Sequence, residues 1–264
     1  MDREALIVRW RSAQSVLVVT GAGISLASGI PTFRGTDPGA VWAHEVLEKG
    51  TWSYFRRDPV GSWSFYIQRF DSVFGAKPNP AHTALVDLEQ ATLARGARFL
   101  LVTQNVDGLH HQAGSQALVE VHGMARRLRC SARGCENAAP RGSLPLEPSM
   151  FDAFKDAPSK TTLPRCPACG APLRAHVLWF DETYDQHVDY QIQRVVDAAW
   201  RADLIVFVGT SFSVGVTELI LQAGRASQAS IWSIDPGEAE RLHGVISLRE
   251  KAEELLPAVA GALA

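Results

Sequence analysis

The chain has 264 residues, of which 46% are hydrophobic and 20% charged, and its formal net charge is −2. This balance is typical of a soluble globular protein of one large domain or one domain with a sizeable insertion. The charge argues against a basic nucleic-acid footprint over the whole molecule, and no apolar run reaches the roughly 18 residues of a membrane span. We therefore expect neither nucleic acid nor a membrane as partner. Because the first residues carry acids and lack a signal-peptide core, we expect a cytoplasmic protein. For the oligomeric state, we expect a monomer by default.

Four apolar runs predict buried strands of a parallel sheet. Each run is continuous rather than alternating, as expected when both faces of a sheet are covered. The runs are Val16–Val19, Arg98–Val102, Leu204–Val208 and Ser230–Ile234. Each ends in small or polar residues, and ligands of open α/β sheets bind outside the carboxyl ends of the strands. The polar ends of these strands are therefore the first candidate site.

Helical spacing of apolar residues predicts helices between the strands, over Asp58–Phe74, Pro80–Leu93 and His187–Trp200. A short strand over Val119–His122 ends in a histidine. Imidazole is the side chain best suited to proton transfer near neutral pH, so His122 is a candidate general base. A structural role is the alternative for a single histidine.

The segment 124–176 lacks this periodicity and holds all four cysteines of the chain. They form two close pairs, Cys130 with Cys135 and Cys166 with Cys169. Two such pairs can hold one Zn²⁺ tetrahedrally, and four thiolates leave no open position, so this zinc is expected to be structural. Four unrelated buried cysteines are the alternative. A zinc ribbon that binds nucleic acid also stays open, because several arginines lie nearby.

Two of the strand ends carry groups suited to a nucleotide. Glycines at Gly21 and Gly23 allow a backbone to turn tightly and approach a pyrophosphate, although a plain strand-to-helix turn explains them equally well. Amide and carboxylate side chains at Gln104, Asn105 and Asp107 suit ribose hydroxyls and a carboxamide. An Asp-Gly turn is the alternative for Asp107.

Seven motifs stand in the order typical of sirtuins, and together they cover nearly the whole chain from Val16. The paired cysteines are one of them. The other motifs are Gly21-Ala22-Gly23-Ile24-Ser25, Gly29-Ile30-Pro31-Thr32-Phe33-Arg34-Gly35, Thr103-Gln104-Asn105-Val106-Asp107, His122-Gly123, His176-Val177-Leu178-Trp179-Phe180 and Gly209-Thr210-Ser211. The chain therefore resembles the sirtuin family of NAD-dependent protein deacylases.

The resemblance implies an α/β fold with two lobes and a cleft in which NAD meets an acylated lysine. A Rossmann-like lobe would comprise about 1–33, 80–123 and 177–264. A smaller lobe would combine a helical insertion, about 34–79, with a zinc module, about 124–176. Protein substrates would bind as an added strand along Val177, Trp179 and Phe180.

The resemblance also assigns roles in binding NAD, the co-substrate. Gly21, Ala22 and Gly23 would lie at the pyrophosphate, Phe33 and Arg34 in a mobile loop, and Gln104 and Asn105 at the nicotinamide ribose. Asp107, with the backbone at Ile30, would hold the carboxamide, and Val106 would be a further cofactor contact. Gly209, Thr210, Ser211, Asp235 and Ala252 would approach the adenosine. His122, with Asn105, would form the catalytic pair, and His122 would take a proton from a ribose hydroxyl.

Two further residues resemble the sirtuin branch that removes succinyl and malonyl groups. Tyr66 and Arg69 stand three apart in a predicted helix, as in the Tyr-x-x-Arg pair that meets an acyl carboxylate in that branch. Thr32, where many sirtuins carry Asp, indicates the same branch. From spacing alone, the favoured interpretation of this pair is an aromatic core residue beside a solvated arginine. The family context instead favours a pair that binds the acyl carboxylate.

Some features depart from the family pattern and keep other functions open. The first cysteine pair is more widely spaced than usual, and Asp235 stands where sirtuins carry Asn. The alternatives are a plain deacetylase, a mono-ADP-ribosyltransferase, a conventional NAD dehydrogenase, or a zinc-ribbon module that binds NAD without catalysis. The protein substrates are not determined by the sequence.

Overall fold

The structure is a computed structural model that describes residues 2–32, 43–212, 215–237 and 242–263. Phe33 and Arg34, assigned above to a cofactor loop, lie outside the described residues.

Strands and helices alternate through most of the described chain. The strands are β1 (Ser15–Thr20), β2 (Arg98–Thr103), β3 (Leu118–Glu120), β4 (Gly123–Cys130), β5 (Leu144–Pro145), β6 (Leu173–Val177), β7 (Leu204–Val208), β8 (Ser230–Ile234) and β9 (Val245–Leu248). The α-helices are α1 (Asp2–Ser12), α2 (Ala43–Lys49), α3 (Trp52–Arg57), α4 (Pro59–Gly75), α5 (Pro80–Ala94), α6 (Leu109–Ala113), α7 (Asp152–Asp156), α8 (Ile192–Arg201), α9 (Gly215–Ala226) and α10 (Ala252–Leu263). A 3-10 helix over Ala22–Ser28 follows β1.

Six strands form one parallel sheet in the order β3-β2-β1-β7-β8-β9. The order reverses direction between β1 and β7, which makes their carboxyl ends the topological switch point of a doubly wound fold. Helices cover both faces, because successive residues of a strand point to opposite sides. On β1, Val16 and Val18 pack with α1, α5 and α10, whereas Leu17 and Val19 pack with α8 and α9.

A second, antiparallel sheet has the order β5-β4-β6 and carries the cysteines. Its buried side chains share one hydrophobic cluster with those of α3 and α4, so the helical insertion and the cysteine module have a common core. Trp63 of α4, which is 1% exposed, joins the two segments by donating its indole N–H to the Leu173 carbonyl at 2.7 Å. The predicted fold class is confirmed, and this shared core supports the predicted division into lobes, which stays a prediction.

The four predicted strands are confirmed, and two other predictions need correction. The helix predicted from His187 begins at Ile192, because Gln191 adopts a left-handed conformation with φ 45° that interrupts it. β3 ends at Glu120, so His122 lies just after the strand rather than on it. Among the described residues, no helix is long and apolar enough to cross a membrane.

Candidate active site

The backbones of two strand ends touch at the switch point. Gly21 follows β1 and donates its N–H to the Val208 carbonyl at 3.0 Å, and the Gly23 N–H donates to the Gly209 carbonyl at 2.9 Å. A Cβ atom on Gly21 would lie 2.7 Å from the Gly209 carbonyl oxygen, and one on Gly209 would lie 2.4 Å from the Ile24 nitrogen. Only glycine permits this close approach of the two backbones. Because these positions carry no side chains, the surface beside Ala22 consists of backbone.

Polar side chains at the end of β2 are tied to that turn. The Asn105 side-chain amide donates to the Gly21 carbonyl at 3.0 Å and to the Ser25 hydroxyl at 3.1 Å. The Ser25 hydroxyl in turn donates to Asp107 at 2.8 Å, and the Leu109 N–H donates to the same carboxylate at 2.9 Å. Both Asn105 and Asp107 are buried. The network fixes an amide and a carboxyl group side by side.

Burial perturbs two acids near this edge of the sheet, Asp107 and Glu120. Burial raises the pKa of Asp107, against the opposing bonds from the Leu109 N–H and the Ser25 hydroxyl. Burial, together with the nearby Asp107 charge, raises the pKa of Glu120 to about 7. One oxygen of Glu120 is buried and has no hydrogen-bond partner in the part of the chain that the structure describes. Perturbed acids in a cluster of buried polar groups are typical of functional sites.

Gln104 connects the two strand ends that flank β1. Its side-chain amide donates to the Thr20 carbonyl at 3.3 Å and to the Thr210 hydroxyl at 3.1 Å. Thr210 is buried, whereas Ser211 is exposed. The residues predicted from the ends of β1, β2 and β7 therefore meet at one edge of the sheet.

His122 lies at the same edge and holds its ring between two oxygens. Its Nδ1 is 2.8 Å from the Gln104 carbonyl oxygen, and its Nε2 is 3.1 Å from the Tyr184 hydroxyl. A carbonyl can only accept, so Nδ1 carries the proton and Nε2 has the lone pair, which accepts from the Tyr184 hydroxyl. Burial lowers the pKa of His122 to about 4, although the Gln104 carbonyl opposes the shift. The imidazole is therefore a neutral base near neutral pH, with Nε2 as its basic atom.

Tyr66 and Arg69 occupy neighbouring turns of α4, as their spacing predicts. The Tyr66 hydroxyl accepts the Trp179 indole N–H at 2.6 Å, within a group of packed aromatic rings. The Arg69 guanidinium lies 3.4 Å above the Phe65 ring centroid and 3.3 Å from the carboxylate of Glu45 on α2. A carboxylate therefore already contacts this arginine.

The predicted peptide-binding segment is only partly a strand. Val177 ends β6 and pairs with Gly123, and the Leu178 N–H donates to the His122 carbonyl at 2.8 Å. Trp179 is 2% exposed and Phe180 is 61% exposed. The N–H groups of Trp179 and Phe180 are bound to Glu182 and to the Gly50 carbonyl, at 3.0 Å each. Beyond Val177, two of the backbone donors that an added strand needs are therefore engaged within the chain.

The remaining predicted cofactor residues lie around this edge. Ile30 and Val106 are partly buried against the common core of the small sheet. Asp235 follows β8 and accepts the Gly237 N–H at 2.8 Å, as a turn residue does. Ala252 opens α10 and packs in the core of the large sheet, so its backbone rather than its side chain is available to a ligand.

The four cysteine sulfurs converge into one cluster, with all ligand atoms within 4.8 Å of one another. Sγ of Cys130 lies 3.4 Å from that of Cys169, and Sγ of Cys135 lies 3.6 Å from that of Cys166. Zinc bonds to sulfur at about 2.3 Å, which sets sulfurs about 3.8 Å apart in a tetrahedron. The Ala132 N–H points to Cys130 Sγ at 3.3 Å and stabilises a thiolate. The donor set fits a structural zinc.

Sequence reasoning missed three residues at this site. Ser25 belongs to the first glycine motif and could have been found from its hydroxyl. Tyr184 and Glu45 carry no motif, and they reach His122 and Arg69 only through the tertiary fold.

Comparisons with known proteins show what the chain is similar to. The profile described as the Sir2 family matches residues 21–216. An NAD-dependent protein deacylase of Thermus thermophilus is 44% identical over 229 residues, which span 86% of this chain and 82% of the relative. The NAD-dependent protein deacylase sirtuin-5, mitochondrial, of Danio rerio is 35% identical over 222 residues, or 80% of this chain and 70% of that protein.

Solved structures agree with the sequence matches. A mutant Sir2 homologue in complex with ADP-ribose superposes with a TM-score of 0.82 at 32% identity, covering 98% of this chain and 96% of that one.

Proposed function

The chain belongs to the Sir2 family, and from this premise we propose that it removes acyl groups from protein lysine side chains with NAD as co-substrate. The observation that carries the proposal is the orientation of His122, whose Nδ1 is held by the Gln104 carbonyl so that Nε2 is the basic atom of the ring. The relatives named as NAD-dependent protein deacylases, and the ADP-ribose complex, support the same chemistry.

NAD, when bound, supplies an activated ribose, because its pyridinium group is a good leaving group. The glycine backbone at Gly21 and Gly23 would approach the pyrophosphate. Gln104 and Asn105 would face the nicotinamide ribose, and Asp107 would hold the carboxamide. The adenosine would lie toward Gly209, Thr210 and Asp235.

His122 would act as the general base. The Gln104 carbonyl holds its proton on Nδ1, so Nε2 can take a proton from a ribose hydroxyl. With a pKa of about 4, the ring is unprotonated at neutral pH and ready to accept that proton. Proton transfer of this kind contributes about 10²- to 10⁴-fold to a rate.

The first experiment tests His122 directly. The protein is incubated with NAD and an acyl-lysine peptide, and nicotinamide and the acylated ADP-ribose product are measured by mass. We expect His122→Ala to lose turnover by at least about 10²-fold while its Kd for NAD changes little. Turnover close to wild type would contradict the role of His122, and absorbance from NADH would indicate a dehydrogenase instead.

We further propose a preference for acyl groups that carry a carboxylate, such as succinyl and malonyl. Arg69 already meets the Glu45 carboxylate, so the guanidinium is accessible to an acid in this geometry. Glu45 also binds Lys49 at 2.6 Å and is half exposed, so it keeps a cationic partner when an acyl carboxylate takes its place at Arg69. The Tyr66 hydroxyl accepts one bond from Trp179 and keeps its own proton to donate.

The second experiment compares acetyl-, malonyl- and succinyl-lysine peptides by kcat/KM. A hydrogen bond to a charged group contributes about 1.5–3 kcal/mol, or roughly a 10- to 150-fold preference. We expect Arg69→Met to lose most of the preference for the acidic groups, and Glu45→Gln to increase it by removing the internal competitor. Replacing the exposed Arg56 by Met is the matched control and should leave the ratio unchanged. Equal ratios in wild type and Arg69→Met would refute the preference but not the deacylase.

A further inference from the structure

A second cluster of metal-binding side chains lies outside both the cysteine module and the polar network around His122. His176 is on β6, and His187 and Asp189 lie on the segment that leads into α8. Their ligand atoms are all within 4.8 Å of one another. Both histidines are buried, and the Asp189 side chain is 43% exposed.

The spacing within the cluster fits one ion. His176 Nε2 lies 3.1 Å from Asp189 Oδ2, and His187 Nδ1 lies 3.6 Å from the same oxygen. A zinc ion bonds to nitrogen and oxygen ligands at about 2.0–2.2 Å, which places ligand atoms of a tetrahedron about 3.3 Å apart. An ion can therefore enter between these atoms with small movements of the side chains.

The tautomer of His187 is the one that a metal needs. Its Nε2 is 3.1 Å from the Gly142 carbonyl oxygen, so the proton is on Nε2 and the Nδ1 lone pair points to Asp189. Metal-bound histidines almost always donate their other N–H to such a carbonyl or carboxylate. The Nδ1 atom now accepts the Asp189 backbone N–H at 3.2 Å, a long bond that an ion would replace.

His176 supplies the independent observation. Its side chain is 1% exposed, its Nδ1 is buried without a hydrogen-bond partner among the described residues, and its Nε2 meets the Asp189 carboxylate at 3.1 Å without hydrogen-bond geometry. Leaving a buried polar atom unpaired costs about 1–3 kcal/mol. A metal ion bound at Nε2 gives that nitrogen a full partner in place of a misaligned one.

The cluster also has an entrance. His176 and Asp189 line a cavity of about 350 Å³, together with His111, Glu120, Arg127 and Gln191 among others. The cavity has room for water as a fourth ligand. The charge of Arg127 opposes a cation, but its guanidinium is bonded to the Ser143 hydroxyl at 2.8 Å, and the acid Glu120 lines the same cavity.

We propose that His176, His187 and Asp189 form a second metal site that takes one divalent first-row transition ion, with Zn²⁺ as the best match to two imidazoles and a carboxylate. The site lies next to the residues that follow β3 and carry His122, because Gly123 follows His122 and packs against the His176 carbonyl. The proposal is independent of the acyl-group preference.

The test counts zinc in the intact protein with the cysteine site loaded. After dialysis against buffered free Zn²⁺, elemental analysis is expected to find two zinc ions per chain in the wild type. Asp189→Asn and His187→Gln should each bind one, or bind the second at least about 10-fold more weakly. His111→Ala removes a histidine of the same cavity that is outside the cluster, and it should still bind two.

Three results would overturn the proposal: one zinc in the wild type at saturating Zn²⁺, two in the Asp189 and His187 variants alike, or loss of the second ion in His111→Ala. Circular dichroism of each variant guards against unfolding, and Asp189→Asn is the decisive variant because that side chain is partly exposed and keeps its shape.

Discussion

The Nε2 atom of His122 has one lone pair, and in the structure the Tyr184 hydroxyl uses it. Burial raises the pKa of Tyr184, with the Val216 N–H opposing, so the phenol is protonated at neutral pH and donates to the imidazole. A ribose hydroxyl that gives its proton to Nε2 must displace this phenol. Tyr184 therefore competes with the nucleotide for the base, in addition to stacking on its ring at 5.8 Å.

Replacing Tyr184 by Phe removes the competitor but keeps the ring. A neutral hydrogen bond contributes about 0.5–1.5 kcal/mol, so we expect the KM for NAD to fall about 2- to 10-fold while kcat stays within about twofold. Steady-state kinetics with NAD varied at saturating peptide measure both. A fall in kcat as large as that of His122→Ala would instead make Tyr184 part of the catalytic machinery.

At the scale of elements, the small sheet depends on a buried ion network that joins β4 to β6. Glu182 accepts two bonds from Arg129, at 2.8 and 2.9 Å, and binds Arg174, which stacks 3.2 Å from the Trp179 ring centroid. Both arginines are 2% exposed. Burial raises the pKa of Glu182, but Arg174 and Arg129 outweigh it and hold that pKa below its usual value. The carboxylate is thus ionised and neutralises two buried cations.

Replacing Glu182 by Ala leaves both guanidinium groups buried without this partner. Removing one member of a buried pair costs about 3–5 kcal/mol, and we expect a loss of that size in the free energy of unfolding from urea titrations. Glu136→Ala, at an exposed site of the same module, should change it by less than about 0.5 kcal/mol. Equal effects of the two substitutions would show that the network is not stabilising.

This network explains why the sequence predicts the large sheet better than the small one. The run Leu204–Val208 is apolar throughout and its bounds are predicted correctly. β4 contains Arg126, Arg127 and Arg129, and nothing in their spacing reveals that one of them is buried against an acid 53 positions later. β9 was missed because it is a short edge strand whose Ile246 is 45% exposed.

At the scale of the molecule, the predicted polar strand ends meet because parallel strands end at the same edge of the sheet. Gln104, Asn105 and Thr210 could be predicted as neighbours for that reason. The contacts of Arg69 with Glu45 and of His122 with Tyr184 could not, because they join segments 24 and 62 positions apart in ways that depend on how loops pack.

The pH dependence of stability is also a property of the whole molecule, and His82 is one of its sources. Burial lowers the pKa of His82 to about 4, so the folded protein keeps it neutral while the unfolded chain takes a proton near pH 6.5. The contribution of His82 to the free energy of unfolding is therefore complete above pH 6.5 and is lost as the pH falls to 4. By contrast, the raised pKa of Glu120 stabilises the fold on acidification from pH 7.

His82→Gln separates these contributions. Glutamine keeps the capping box that His82 forms with Asn79 at the start of α5, but it does not titrate. Between pH 7 and pH 4, we expect the free energy of unfolding to fall by about 3 kcal/mol less in the variant than in the wild type. The effect of Glu120 is common to both proteins. Urea titrations at several pH values measure the difference, and parallel curves would contradict the assignment.

The common core of the helical insertion and the cysteine module has a consequence for biosynthesis. Trp63 and Phe70 leave the ribosome about a hundred residues before Leu173 and Ala175, against which they pack. Until the second cysteine pair has been translated and the ion has bound, the apolar face of α4 lacks its partners in β6. We expect the nascent chain to be most prone to aggregation in this interval, and zinc supply to limit the yield of folded protein.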